Sequence, residues 1–177
     1  LDFTADKVRL GNSYLLVGTD SYLVDKALDT IRAKLNKKDN VDTVIIYGDE
    51  VKSPELTEQL DTFSIFFSVM LIIIKKTEML KPKELNILAE YFASPSEIQS
   101  LAIVTEKIDA RYDNWKKIKA GTQIISCEPP PYGGAIRAWL DKALKEINKT
   151  MTPKAIEEFI NRIELDYYNA SNELTKL

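Results

Sequence analysis

Apolar runs of strand length alternate with segments of helical period over the first three quarters of the chain, and only helical period remains after that. Tyr14 to Val17 is a short continuous apolar run, the length of a buried strand. After it, Val24, Leu28, Ile31 and Leu35 recur at helical spacing, and Asp20 is placed to cap that helix. Further strands are predicted over Thr43 to Tyr47, Val69 to Ile74, Leu101 to Val104 and Thr122 to Ser126. Pro82 suits the first position of a helix with Leu85, Leu88 and Phe92 on its inner face, ended by Ser94-Pro95. A short basic helix then carries Tyr112, Trp115 and Ile118. Strands that are apolar throughout and separated by helices predict a parallel sheet covered on both faces.

Pro129-Pro130-Pro131 interrupts this pattern, and Gly133-Gly134 restarts the chain. Three helical stripes follow: Ile136, Leu140, Ala143 and Ile147; then Ile156, Phe159 and Ile163; then Tyr167, Ala170, Leu174 and Leu177. Thr152 and Pro153 are placed as cap and first residue of the middle helix. The expected organisation is an α/β domain over residues 1–132 and a three-helix unit over residues 133–177.

Composition narrows the chemistry. The 177 residues are 45% hydrophobic and 29% charged, as in an ordinary globular protein. A net charge of −3 provides no global basic field for DNA or anionic lipid. The chain has no histidine, which removes the commonest general base, the Ser/His and Cys/His nucleophile pairs and most zinc sites. Its one cysteine, Cys127, lies in the apolar run Gln123-Ile-Ile-Ser-Cys127 and is expected to be a small buried residue. A reduced cysteine suits the cytoplasm. The most apolar stretch, Ser64 to Ile74, is too short to span a bilayer, and no signal peptide pattern opens the chain. Leu1-Asp2-Phe3 lacks an initiator methionine and Leu177 falls inside a helical pattern, so an excised fragment is expected.

The strand ending at Gly18 runs straight into a helix, where a nucleotide-binding protein places its phosphate loop. With Gly18 as the first glycine of G-x-x-x-x-G-K-[ST], the defining positions are Leu23, Val24 and Asp25. The glycine that lets backbone approach phosphate is missing, as are the lysine that neutralises it and the hydroxyl for magnesium. The competing reading is a simple turn. The third strand should also end in an acidic pair to hold the metal, and it ends in Lys75-Lys76. Neither nucleotide cofactor nor metal is expected.

Two other features stand out. Phe63-Ser64-Ile65-Phe66-Phe67 puts four large apolar residues at a predicted helix-to-strand connection, where exposed aromatics mark partner sites. The alternative is that all four enter the core with the strand. Lysine-rich segments, Lys75-Lys76-Lys81-Lys83 and Lys107-Arg111-Lys116-Lys117-Lys119, follow the third and fourth strands. Interspersed Glu78, Glu84, Glu106 and Asp113 favour solvated helix faces over a phosphate site.

In order and spacing these residues resemble the delta subunit of the bacterial DNA polymerase III clamp loader. The likeness is carried by Tyr14-Leu-Leu-Val-Gly-Thr-Asp-Ser-Tyr-Leu-Val-Asp25, Phe63-Ser-Ile-Phe66, Ser100 to Arg111, the helix around Trp139, and Asn172-Glu-Leu-Thr-Lys-Leu177. The resemblance implies an AAA+ domain with a RecA-like five-stranded parallel sheet and a degenerate phosphate loop, then a three-helix lid. It further implies no ATP hydrolysis and a hydrophobic wedge that grips the sliding clamp (the beta subunit) and holds one interface open. By position the wedge falls on Ile65 and Phe66, where the family commonly has Leu-Phe, with Ser64 and Phe67 flanking. Many members carry basic residues after the wedge, whereas this chain has Phe67-Ser68-Val69. Implied partners are the clamp, the ATPase and delta-prime subunits, and primed DNA only through the complex, in the cytoplasm and without a membrane. The delta-prime relative carries a four-cysteine zinc module, which one cysteine cannot form. A further collar domain is expected beyond Leu177, and this piece is expected to be monomeric alone. A divergent P-loop NTPase, a Rossmann-like oxidoreductase and an AAA+-derived scaffold domain are the rivals. The second is disfavoured because Gly18 stands without the other glycines of G-x-G-x-x-G.

Overall fold

The computed structural model describes residues 3–36, 41–61, 69–128, 134–163, 166–174 and 176. The chain divides into two compact units, residues 1–128 and 129–177.

The first unit is built on five parallel strands, β1 (Ser13–Val17), β2 (Val41–Tyr47), β3 (Val69–Lys75), β4 (Gln99–Thr105) and β5 (Gln123–Ser126). They lie in the order β2-β3-β4-β1-β5. The register pairs Leu15 with Ile103 and Ile124, and Ile72 with Val44 and Leu101. The connecting helices are α1 (Ser21–Asn36), α2 (Ser53–Asp61), α3 (Pro82–Tyr91) and α4 (Asp113–Ala120). Side chains alternate across a strand, so each strand feeds two cores. On one face Leu16, Leu71 and Ile73 pack with Leu28 and Ile31 of α1. On the other, Leu15, Ile72 and Ile74 pack with Leu56 of α2, Leu88 of α3 and Trp115 of α4. The parallel, doubly covered sheet agrees with the sequence pattern.

The expectation of strands apolar throughout needs correction at the sheet edges. Ile45 of β2 is 43% exposed and Ile124 of β5 is 49% exposed, because each edge strand is covered by fewer neighbours. The amino-terminal segment, which carries no periodic signal, also enters the core through Phe3 and Val8. It serves the buried Tyr14 hydroxyl, which donates to the Arg9 carbonyl at 3.0 Å and accepts from the Arg9 N–H at 2.8 Å.

The second unit holds α5 (Gly134–Glu146), α6 (Pro153–Arg162) and α7 (Tyr167–Leu174). Leu140, Leu144, Ile156 and Leu174 form its core, and Trp139 meets Tyr167 edge-on at 5.3 Å. Thr152 caps α6 as its sequence position predicts, its hydroxyl accepting the Ala155 N–H at 3.3 Å. Ile147 does not continue the α5 stripe. The helix ends at Glu146, the chain turns through a left-handed Asn148, and Leu144 takes the buried place while Ile147 faces solvent. Leu177 lies outside the described residues.

Candidate functional site

The turn after β1 is where a nucleotide would sit, at the carboxyl edge of the sheet. Gly18 has φ +151°, and a Cβ there would stand 2.3 Å from the carbonyl carbon of Cys127, so only glycine fits the close approach of these two backbones. Hydrogen bonds close the turn on both sides. The Gly18 N–H donates to Thr105 O at 3.1 Å, the Cys127 N–H donates to Val17 O at 2.7 Å, and the Asp20 N–H donates to Cys127 O at 3.3 Å.

Only Thr19 and Asp20 separate Gly18 from the start of α1, too few to wrap a phosphate. Leu23, Val24 and Asp25 are therefore already helical. Leu23 and Val24 are 3% and 8% exposed in the core beneath α1, where a phosphate-binding lysine could not reach a ligand. The orphan amides of a helix start normally attract anions. Here Asp20 supplies the anion itself, its Oδ1 accepting the Leu23 N–H at 2.9 Å. Glu128 adds a second carboxylate, accepting from the Thr19 hydroxyl at 3.3 Å. A triphosphate at this corner would meet the carboxylates of Asp20 and Glu128.

The end of β3 is equally unlike a magnesium site. Lys76 adopts a left-handed conformation, φ 55°, and its Nζ lies 2.6 Å from Asp49 Oδ2. That hydrogen bond holds the Asp49 carboxyl below the usual carboxylate range and pushes the Lys76 ammonium up. Glu78 bonds to the end of β4, beside the Thr105 carbonyl that accepts the Gly18 N–H. Its Oε2 accepts the Glu106 N–H at 3.1 Å and lies 3.0 Å from the Thr105 hydroxyl.

A small pocket of about 210 Å³ opens beside it, with Leu85 and Trp115 below and Lys107, Asp109 and Tyr112 around. The basic segments are met by their own acids: Arg111 pairs with Asp109 at 2.6 Å and Lys116 with Asp113 at 2.7 Å. The guanidinium hydrogen bonds pull Asp109 down to about 2. These are solvated faces, except that Glu84, one of the acids on which that expectation rested, is buried. Among the described residues no group of carboxylates or Cys127 is arranged to hold a metal. Burial pushes the Cys127 thiol up to about 12, leaving it inert at neutral pH. Among the same residues, no helix is long and apolar enough to cross a membrane.

At the opposite, amino edge of the sheet β3 begins, following α2 in the chain. Ser64, Ile65, Phe66 and Phe67 lie in residues 62–68, outside the described residues. The stems on either side are described. Helix α2 is anchored by Leu56 and Leu60, which are buried. At its start the Ser53 hydroxyl donates to Glu84 Oε1. Glu84, 7% exposed in the first turn of α3, thus links two helix starts, whose dipoles favour its charge. The Ser53 hydrogen bond holds its carboxyl below the ordinary glutamate value. At the other stem Gln99, 2% exposed at the start of β4, reaches toward both α2 and β3. Neither Glu84 nor Gln99 carries a periodic signal that sequence reasoning could use; a glutamine opening an otherwise apolar strand was the one available hint.

A family model described as DNA polymerase III, delta subunit, matches residues 14–128. No curated protein sequence matches the chain. Among solved structures, the Bacillus subtilis DNA clamp loader delta protein (YqeN) is similar over 97% of this chain and 53% of its own, at 20% identity and a TM-score of 0.74. A DNA polymerase III gamma subunit-related protein of Thermotoga maritima shares 16% identity with a TM-score of 0.58, over 94% of this chain and 53% of its own. The Thermotoga maritima RuvB Holliday junction branch migration motor shares 14% identity with a TM-score of 0.56, over 91% of this chain and 52% of its own. The chain thus spans about half the length of these structures, which share its α/β AAA+-like fold. With its model matching from β1 through the end of β5, the family is shown, and this chain belongs to the DNA polymerase III delta subunits.

Proposed function

We propose that this chain is the clamp-gripping part of a clamp loader and contributes binding energy rather than chemistry. The observation that carries this reading is the delta-subunit match over residues 14–128, a span that includes 62–68. The corner at Gly18, Leu23, Val24 and Asp25 supports it, since carboxylates and packed backbone occupy the place of a triphosphate. ATP hydrolysis then belongs to neighbouring ATPase subunits, delta-prime completes the assembly, and primed DNA is met through the complex in the cytoplasm. Residues 1–132 carry the clamp element, and residues 133–177 form the small helical lid.

In this reading Ile65 and Phe66, flanked by Ser64 and Phe67, fill an apolar pocket on the sliding clamp. A ligand shifts a two-state ring toward the open form only by the difference in its affinity for the two states. The wedge therefore acts by fitting a pocket that is better formed when the clamp interface is open. An Ile65→Ala, Phe66→Ala variant tests this by clamp affinity and thermal melting together. Two hot-spot side chains at about 2 kcal/mol each correspond to about a thousandfold weaker binding. The melting temperature should stay within about 2 °C of the unsubstituted chain, because the wedge is not part of the fold. Unchanged affinity, or a variant that unfolds, would overturn the assignment.

A further inference from the structure

The pocket of about 210 Å³ is built from the segments that follow β3 and β4. Leu85 and Trp115, both buried, line its apolar side, and Tyr112, 45% exposed, adds a second aromatic ring. Glu78, Lys107 and Asp109 supply the charges around it, one more negative than positive. Pockets for drug-sized molecules start at about 300 Å³, so this one has room for a single long side chain.

The two carboxylates differ in what they leave for a ligand. Asp109 already holds a guanidinium, with Arg111 Nε 2.9 Å from its Oδ1 and Nη2 2.6 Å from its Oδ2. Glu78 is fixed through one oxygen only: its Oε2 accepts the Glu106 N–H at 3.1 Å and lies 3.0 Å from the Thr105 hydroxyl. Its Oε1 takes no hydrogen bond from the described residues. Glu78 is half-buried and Thr105 fully buried, so the carboxylate is held in place before any ligand arrives. Lys107, by contrast, is exposed, with its ammonium on a flexible stem. A fixed carboxylate oxygen beside aromatic rings suits a flat cation, because a guanidinium bonds a carboxylate through its fork and stacks on aromatic faces. An aliphatic side chain would cover that oxygen without pairing it, and an anion would be repelled by it.

We propose that this pocket binds an arginine side chain presented by a partner protein. The guanidinium donates to Glu78 Oε1 and lies against Tyr112 and Trp115, while its methylenes rest on the apolar wall at Leu85. Arginine is among the residues enriched at interface hot spots, where one anchor in a small pocket dominates the contact. The site shares no residue with 62–68 and stands whether or not the chain grips a clamp.

The test titrates the whole 177-residue chain with N-acetyl-arginine methylamide and follows the Trp115 indole N–H by NMR. The Trp139 indole, in the second unit, is the internal control. The Trp115 resonance should shift and saturate at about millimolar probe, with Trp139 unmoved. The citrulline analogue, of the same shape without the charge, should bind about tenfold more weakly or worse. Glu78→Gln keeps an acceptor for the Glu106 N–H but loses the charge, and should weaken the arginine probe about tenfold. Should that variant fail to fold, Tyr112→Ala removes an exposed ring and should weaken the probe about threefold. An absent or unsaturable shift at Trp115, citrulline binding as well as arginine, or full affinity in the folded variant overturns the proposal. Tighter binding of N-acetyl-leucine, whose carboxylate would seek Lys107, overturns it by reversing the sign of the ligand. Free L-arginine binding about tenfold more tightly than the blocked probe would overturn the partner-protein source in favour of the amino acid itself.

Discussion

The turn at the carboxyl end of β1 and the stems at the amino end of β3 solve opposite problems with the same sheet. At the first, the chain bonds and packs against itself. Gly18 is pressed against the Cys127 backbone, Asp20 takes the Leu23 amide, and Glu128 takes the Thr19 hydroxyl. At the second, Gln99 ties α2 toward β3 and keeps a buried oxygen without a partner. Parallel sheets usually place ligand chemistry at the carboxyl edge. Here the β1 corner of that edge is satisfied internally, and the unpaired Gln99 oxygen lies at the other edge.

The comparison breaks most decisively if a phosphate loop can be restored by sequence alone. Leu23→Gly, Val24→Lys and Asp25→Thr together recreate the Gly-Lys-Thr triplet. Leu23 is buried in α1, so its truncation costs about 2–5 kcal/mol for the lost packing. Glycine inside the helix adds about 1 kcal/mol, and the lysine puts an ammonium at a position only 8% exposed. The expected result is a melting temperature lowered by roughly 10 °C or more, and a flat Mg-ATP titration. Saturable nucleotide binding by a stable triple variant would show that the corner is not closed by its backbone.

A smaller change tests the cap. Asp20→Ala removes the carboxylate that satisfies the Leu23 N–H, and should cost about 1 kcal/mol of stability, read by denaturant unfolding. An unaffected unfolding midpoint would mean that water replaces the carboxylate without loss.

The mildest test concerns the α2 stem and its dependence on pH. The Ser53 hydrogen bond holds the folded-state pKa of Glu84 below its ordinary value of 4.5. A carboxyl lowered in the fold contributes stability above its unfolded pKa and loses it as pH falls through the folded one. Glu84→Gln should therefore melt below the unsubstituted chain at pH 7, and the gap should narrow as the pH drops below 4.5. A gap independent of pH would assign the effect to packing instead of charge.

These tests fall on features of unequal visibility in the sequence. The sheet was legible because its interior strands are continuous apolar runs, which only a doubly covered parallel sheet buries on both faces. The caps Asp20 and Thr152 were legible because capping follows from residue type and position. That Leu23, Val24 and Asp25 depart from the phosphate-loop pattern could be read from the sequence, but the packing around Gly18 could not. That packing comes from Cys127 and Glu128, more than a hundred residues away in sequence. The same holds for the Ser53–Glu84 link and for Gln99, which are tertiary pairings with no local period. Ile147 misled because its spacing continues the α5 stripe past the helix end, where the left-handed Asn148 turns the chain.

Hydrogen exchange with and without the cognate sliding clamp examines both edges in one measurement. The account predicts that added clamp slows the amides of residues 62–68 and leaves those of residues 18–25 at their free rates. Slowing at 18–25 with 62–68 unchanged would contradict it.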